Sequence, residues 1–107
     1  MSPDRDILDE MVRCIVAAVH PLRVILFGSA ARGEMGPNSD LDVLVVMPDG
    51  CDCLAIAQSL YGHLRGLKYA KDILVVHQQD VERWGHNPYL ILHTAMTQGK
   101  ELYHAAS

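Results

Sequence analysis

The chain has 107 residues, of which 50% are hydrophobic and 21% are charged, and its formal net charge is −4. That length fits one compact domain, residues 1–107, with a single small core. The mild acidity argues against broad electrostatic capture of nucleic acid, so direct nucleic-acid binding is not expected. We find no signal-peptide pattern and no apolar run long enough to span a bilayer, which predicts a soluble, cytoplasmic protein without membrane contact.

An amphipathic helix is predicted at the start of the chain. Ser2 suits an N-cap and Pro3 suits the first helical position, and the acidic first turn fits the positive end of the helix dipole. Apolar side chains then recur at helical spacing, at Ile7, Leu8, Met11, Val12, Ile15, Val16 and Val19. The pair His20-Pro21 ends the helix. We interpret this helix as scaffold that packs across a sheet.

A Gly-Ser pair follows the first predicted strand, Leu22 to Phe27, which is apolar and β-branched. Glycine lets backbone N–H groups approach a ligand closely, and successive N–H groups in a turn or at a helix start bind anions. The hydroxyl of Ser29 can donate to a phosphate oxygen. We therefore predict that Gly28 and Ser29 hold phosphates, and that Ser29 also caps a short helix from Ala30 to Glu34.

Arg32 projects from that short helix, and two roles stay open for it. Its guanidinium could form a salt bridge with a surface carboxylate of the same chain. It could instead place a positive charge on phosphates or on a partner protein, because guanidinium groups match phosphate geometry well.

Two aspartates, Asp40 and Asp42, stand at the head of a second predicted strand, which runs from about Ser39 to Met47. The turn-rich residues 36–39 make this strand an antiparallel neighbour of the first. Residues i and i+2 of a strand point to one face, so the two carboxylates lie side by side. Two like charges that close are unfavourable without a cation between them, and hard oxygen ligands suit magnesium. A phosphate-binding turn beside metal-binding aspartates is the arrangement that phosphoryl or nucleotidyl transfer requires.

A helix and a third strand follow the turn at Pro48-Asp49-Gly50. Asp52 is a predicted N-cap, and Gly66 is the predicted C′ glycine. Five side chains are predicted to share one apolar face of this helix: Leu54, Ala57, Leu60, Tyr61 and Leu64. A strand–helix–strand connection is right-handed, so the third strand, Tyr69 to His77, should run parallel to the second.

Asp72 is an acid within the apolar third strand, on the same face as Leu74 and Val76. Taken alone, it has two interpretations. It could be a strand-end acid paired with Lys71 or Arg65, or it could serve a metal or a proton transfer. An uncompensated carboxylate near a core is costly, and the aspartate pair of the second strand favours the functional interpretation.

The last third of the chain predicts a connector over residues 81–85 and then a helix. Asn87-Pro88 forms an N-cap and N1 pair for a helix from Tyr89 to Gln98, and Gly99 ends it at C′. Leu102-Tyr103 predicts a short edge segment or a contact with the core. Side chains of this type more often pack in cores, yet they are the first candidates for a partner surface: Trp84, Tyr89 and Tyr103.

The cysteines and histidines indicate no metal or disulfide framework. Cys14, Cys51 and Cys53 are odd in number, and their spacing fits neither a disulfide scaffold nor a four-ligand zinc site. We interpret them as reduced, small hydrophobic residues. The six histidines are scattered and include no H-x-x-x-H pair, so we assign no zinc site.

These motifs resemble those of a known family. The sequence GSAARG at 28–33, followed by SDLD at 39–42 at the head of an apolar strand, is similar to that of the polymerase-beta-like nucleotidyltransferase superfamily. The short length resembles its minimal branch. Asp72 and the closing G-x-x-LY at 99–103 extend the resemblance over most of the chain. The implied fold is α/β, or α+β by some schemes, with a small mixed sheet of three to four strands and helices packed against it.

The resemblance implies magnesium-dependent transfer of a nucleoside monophosphate from a nucleoside triphosphate to a hydroxyl. Asp40 and Asp42 would bridge two magnesium ions, and Asp72 would hold one of them and could accept the proton of the hydroxyl. All three acids are thus both catalytic and metal-binding candidates. The nucleotide-binding residues that the resemblance implies are Gly28, Ser29 and Arg32.

A second chain is expected to complete the acceptor site, because the fold needs the residues that follow the SDLD motif. Minimal nucleotidyltransferases resemble antitoxins encoded beside HEPN-domain RNase toxins. This resemblance implies ATP as the donor and a tyrosine hydroxyl of the toxin as the acceptor. Two alternatives stay open: a binding module that neutralises its partner by occlusion, and a small-molecule nucleotidyltransferase that acts as a homodimer. The intact aspartate trio argues against the first alternative.

Overall fold

The computed structural model describes residues 5–33, 40–67, 69–84, 87 and 91–105. Helices and strands alternate along this part of the chain. The helices are α1 (Arg5–Val19), α2 (Gly28–Ala31), α3 (Cys53–His63), α4 (Gln78–Trp84) and α5 (Ile91–Gln98). The strands are β1 (Arg23–Phe27), β2 (Leu41–Met47), β3 (Lys71–His77) and β4 (Lys100–His104). None of the described helices is long and apolar enough to cross a membrane.

The four strands form one mixed sheet in the order β3-β2-β1-β4. β1 pairs antiparallel with β2, and β2 pairs parallel with β3, as the sequence predicts. β4 pairs antiparallel with the outer side of β1, so the segment around Leu102-Tyr103 is an edge strand. The predicted small mixed sheet with helices packed against it is confirmed.

Helices cover both faces of the sheet. On one face, α1 and α3 pack on a cluster that includes Met11, Ile15, Val24, Leu26, Val43, Val45, Leu60 and Leu64. On the other face, Leu92 and Ala95 of α5 pack on four side chains of the sheet, Ile25, Phe27, Leu44 and Val46. Every residue of the central strand β2 is buried except Asp42, which is half-buried. A charged side chain therefore interrupts an otherwise apolar strand at its second position.

The prediction of a connector over residues 81–85 is wrong, because α4 occupies Gln78–Trp84. Acids satisfy the N–H groups at the start of this helix. The Gln79 N–H donates to Oδ1 of Asp49 over 2.9 Å, and the His77 N–H donates to Oδ2 of Asp80 over 3.0 Å. Asp49 belongs to the loop after β2, so part of this cap comes from a segment distant in sequence.

The predicted N-cap of α3 is confirmed, because Oδ1 of Asp52 accepts the Ala55 N–H over 3.1 Å. The predicted apolar face is wrong in part, since Leu54 is 70% exposed. The prediction for Gly66 is also wrong. The C-cap is Leu64, and Gly66 does not adopt a left-handed backbone conformation.

The remaining boundaries lie close to the predicted ones. α1 ends at Val19, and His20 follows with a φ of 50°, which breaks the helix before Pro21. The predicted caps at Ser2-Pro3, the turn at 36–39 and the pair Pro88-Tyr89 lie at least partly outside the described residues. Gly99 follows α5, and its N–H donates to the Ala95 carbonyl oxygen over 3.0 Å.

Candidate active site

The structure places the predicted acids at one end of β2 and β3. Asp40 is exposed directly before β2, Asp42 is the second residue of β2, and Asp72 is the second residue of β3. In the parallel register of these strands, Asp42 and Asp72 are direct partners. Strand alternation gives both residues the face on which Leu44 and Leu74 pack. The two carboxylates therefore rise side by side from neighbouring strands.

Mutual repulsion is visible in the electrostatics of Asp42. Burial raises the pKa of this carboxyl above its usual value of 3.8, and the charges of Asp72 and then Asp40 raise it further. The charge of Arg32 acts in the opposite direction. Asp72 and Asp40 are thus close enough to disfavour the ionised form of Asp42, with one guanidinium near enough to offset part of the cost.

Gly28 brings the backbone against the Asp42 carboxylate. Its φ is +72°, in the left-handed region that favours glycine, and a β-carbon built on it would overlap Oδ2 of Asp42. α2 begins at Gly28 directly after the extended Phe27, and no side chain of the described residues caps it. The prediction that Ser29 caps a helix from Ala30 is therefore wrong. The left-handed glycine lets the chain turn into the helix without an Asx- or Ser-type cap.

Ser29 and Arg32 both follow the turn at Gly28, Ser29 within α2 and Arg32 at its end. Ser29 is half-buried and is the second residue of α2, next to the left-handed glycine. Arg32 is exposed and forms the C-cap of the same short helix. Of the GSAARG motif, the backbone of Gly28 and the charge of Arg32 thus act on the Asp42 carboxylate.

Tyr61 is a neighbour of the site that the sequence analysis missed. Its hydroxyl accepts the Ile73 N–H over 2.9 Å and donates to Oδ1 of Asp72 over 3.4 Å. The sequence placed Tyr61 on the apolar face of α3 because of its helical spacing. The phenol hydroxyl of Tyr61 could have indicated this contact, because a tyrosine at the edge of an apolar face often forms a hydrogen bond through its hydroxyl.

The donor types suit a hard cation, because carboxylate oxygens are the ligands that magnesium prefers. Within the described part of the chain, however, no three His, Cys, Asp or Glu side chains converge closely enough to hold an ion. Binding of an ion would require the acids to turn toward one another.

A second polar cluster lies at the opposite end of β3. Nε2 of His77 donates to the Cys51 carbonyl oxygen over 2.5 Å, and Sγ of Cys53 lies 3.4 Å from the same nitrogen. Burial, followed by the charge of Asp80, raises the pKa of the Cys53 thiol. A raised pKa favours the neutral thiol, which is the opposite of the lowered pKa of an activated nucleophile. Cys14, Cys51 and Cys53 are all free thiols.

A cavity in the described structure also lies away from the acids. It has a volume of about 830 Å³ and opens between α1 and β4. Its lining includes Leu26, Leu102 and Tyr103, which belong to or pack on the core face covered by α1 and α3. Since Asp42 and Asp72 rise from the other face, this cavity does not contain the candidate site.

The sequence of the chain matches a known protein family. A sequence model of the family described as the nucleotidyltransferase domain matches residues 7–105. The chain belongs to this family. The resemblance stated from the GSAARG and SDLD motifs is confirmed, and the chain is a nucleotidyltransferase. No curated protein matches it at a significant level.

Solved structures share the fold of this nucleotidyltransferase. A toxin–antitoxin crystal structure with AMP-PNP has a TM-score of 0.58 at 22% identity, covering 96% of this chain and 75% of that chain. A mutant of the toxin–antitoxin MntA–HpeT gives 0.58 at 20% identity, over 91% and 72%. A protein from Sulfolobus solfataricus assigned as a nucleotidyltransferase gives 0.53 at 23% identity, over 73% and 70%. At these identities the likeness shows the fold.

Proposed function

We propose that this nucleotidyltransferase transfers AMP from ATP to a tyrosine hydroxyl of a HEPN-domain toxin in the cytoplasm, and so acts as the antitoxin of that protein. The observation that carries the proposal is the register of Asp42 with Asp72, with Gly28 packed directly against the Asp42 carboxylate. It joins a pair of acids to the backbone turn that is suited to phosphate. The family match supplies the reaction class.

In the proposed reaction, the site residues have separate roles in binding phosphate and magnesium. The backbone at Gly28 and the hydroxyl of Ser29 would bind the β- and γ-phosphates, and Arg32 would add positive charge there. Asp40, Asp42 and Asp72 would hold magnesium, which when bound supplies charge stabilisation on the phosphates and lowers the pKa of the acceptor hydroxyl.

Asp72 has the position of the acid that faces the acceptor. It lies on β3, one strand further from Gly28 than Asp42, and its side chain is exposed. In the proposed reaction its carboxylate takes the proton of the acceptor hydroxyl. That oxygen forms a bond to the α-phosphorus as the bond from this phosphorus to the β-phosphate oxygen breaks, and pyrophosphate leaves.

Two solved structures support a protein acceptor. They are toxin–antitoxin structures, and one of them contains AMP-PNP, an analogue of ATP. Each covers more than nine tenths of this chain. The exposed Asp72 leaves the acceptor side of the site open, as a protein substrate requires.

The test is an incubation of the chain with magnesium, each nucleoside triphosphate in turn, and the product of the neighbouring gene, which the proposal expects to be a HEPN-domain toxin. Intact mass should show that ATP adds AMP to the partner, and peptide mapping should place it on a tyrosine. Asp9→Asn, a change of an exposed acid on α1, is the matched control and should transfer as the parent does. A complex that forms without modification by any nucleotide would support neutralisation by occlusion instead.

A further inference from the structure

Tyr61 connects two elements at the candidate site. It lies on α3, it is 42% exposed, and its hydroxyl makes two hydrogen bonds. It accepts the N–H of Ile73 and donates to Oδ1 of Asp72. One phenol therefore ties a candidate catalytic carboxylate to the backbone of the strand that carries it.

The hydroxyl lies on the free edge of the sheet. Among the described strands β3 is the outermost on its side, and the Leu41 N–H of β2 donates to the Ala70 carbonyl oxygen. Backbone groups of successive strand residues point alternately to the two sides. The N–H of Ile73 therefore points away from β2, and Tyr61 provides the acceptor that an unpaired edge lacks.

We propose that Tyr61 is a positioning residue that fixes the side-chain rotamer of Asp72 for the acceptor hydroxyl. The proposal rests on the function proposed above. An exposed aspartate beside a like charge samples several staggered χ1 rotamers. The bond from Tyr61 restrains Oδ1, and the backbone bond to Ile73 holds the phenol in turn. Oδ2 is then presented in one direction for proton transfer.

The first test reads the structure without any reaction. NMR of the chain alone should show one χ1 rotamer for Asp72 in the parent and averaged couplings in Tyr61→Phe. The amide of Ile73 should exchange faster in that variant, because it loses its acceptor. Tyr103→Phe on β4, where the tyrosine packs beside the core cluster, is the matched control and should change neither reading. An averaged Asp72 in the parent, or a single rotamer in Tyr61→Phe, overturns the proposal.

The second test separates positioning from general stabilisation. With ATP, magnesium and the HEPN-domain partner, Tyr61→Phe should lower kcat by about 3- to 10-fold, the effect of one hydrogen bond, with KM for ATP unchanged. In an Asp72→Asn background the same change should have no further effect, because Tyr61 acts through that carboxylate. An equal loss in both backgrounds overturns the proposal. A parent that transfers nothing rejects the proposed function, while the NMR result still judges the contact.

Discussion

Gly28 packs so closely against Asp42 that a β-carbon on Gly28 would overlap Oδ2 of Asp42. The pair joins the end of β1 to the start of β2, two strands that run antiparallel, with Phe27 opposite Asp42 in the register. A side chain at this glycine would meet the carboxylate itself. The closeness of backbone and acid is thus a property that only glycine preserves.

Gly28→Ala should disrupt the site by two separate effects. The left-handed backbone costs an alanine about 1–2 kcal/mol, and the new methyl group should push the Asp42 carboxylate out of place. Gly50→Ala is the matched control, because Gly50 has a φ of +91° but open space around its β-carbon position. Urea denaturation should show a loss in both variants. Calorimetry with magnesium and a non-hydrolysable ATP analogue should show weaker binding in Gly28→Ala alone; equal binding in both variants would contradict the assignment.

Asp42→Asn should make the metal-free protein more stable near neutral pH. Burial, Asp72 and Asp40 raise the pKa of Asp42 in the folded state, so its ionised form is penalised by folding. That penalty is present above the folded pKa and disappears as the pH falls through it toward 3.8. Thermal unfolding in the presence of a chelator should therefore show a gap between variant and parent that closes at low pH. A parent that is more stable than the variant at neutral pH would count against repulsion at this site.

Asp72→Asn should separate catalysis from binding. The change is nearly isosteric but removes a charge and a base. Binding of the nucleotide should persist because Asp40, Asp42 and Gly28 remain, whereas transfer should fall by about 10²-fold or more. Co-expression with the HEPN-domain partner, scored for growth and for co-purification, is the measurement. We expect the complex to form while protection disappears; growth rescued equally by parent and variant would favour occlusion without catalysis.

The sheet and the position of the acids could be predicted from sequence because local patterns determine them. The turn-rich sequence before Asp40 predicts antiparallel neighbours, and a helix predicted after Asp52 implies a right-handed crossover, which makes β3 parallel to β2. Alternation within each strand then assigns Asp42 and Asp72 to one face. These rules need no knowledge of distant contacts.

The wrong predictions concern elements whose ends or contacts depend on distant residues or on a backbone conformation that the sequence pattern does not show. α4 begins with an N–H bound by Asp49 from another loop, so the helix lacks a complete cap in its own sequence. α2 begins at a left-handed glycine, and Ser29 is not needed as a cap. Helical periodicity predicts that Tyr61 belongs to the apolar face of α3. It does not predict that the Tyr61 hydroxyl forms a hydrogen bond with Asp72 at the edge of the sheet.

Glu101→Gln should weaken the attachment of β4 to β1, most clearly at neutral pH. Glu101 accepts hydrogen bonds from Arg23, at 2.9 Å from Nε, and lies 3.1 Å from Nδ1 of His104. Although burial raises the pKa of Glu101, these partners bring it below 4.5. The stabilisation is present above 4.5 and is lost as the pH falls through the lowered pKa. For an exposed pair we expect a loss of about 0.5 kcal/mol by urea denaturation, smaller in high salt. A gap that widens on acidification would contradict it.

Gly99→Ala should destabilise the junction of α5 and β4. A β-carbon there would overlap the Ala95 carbonyl oxygen and lie 2.6 Å from Cγ2 of Ile25. The backbone would have to shift, at a cost of about 1–3 kcal/mol. Gly62→Ala is the counterpart in α3, where the β-carbon position is open, and it should stabilise by about 0.5–1 kcal/mol. Chemical denaturation of both variants checks the opposite signs, and a loss in Gly62→Ala comparable to that in Gly99→Ala would remove the steric explanation.

The pairing of β1 with β4 also has a consequence for synthesis of the chain. Arg23 and Glu101 are bonded across these strands although 78 positions separate them in sequence. While the ribosome is still adding the intervening residues, β1 has only one of its two strand neighbours to pair with. Long-range pairing of this kind folds slowly, and an open strand edge invites association with other nascent chains. The second edge of β1 should therefore stay unpaired until residues 100–104 have left the exit tunnel.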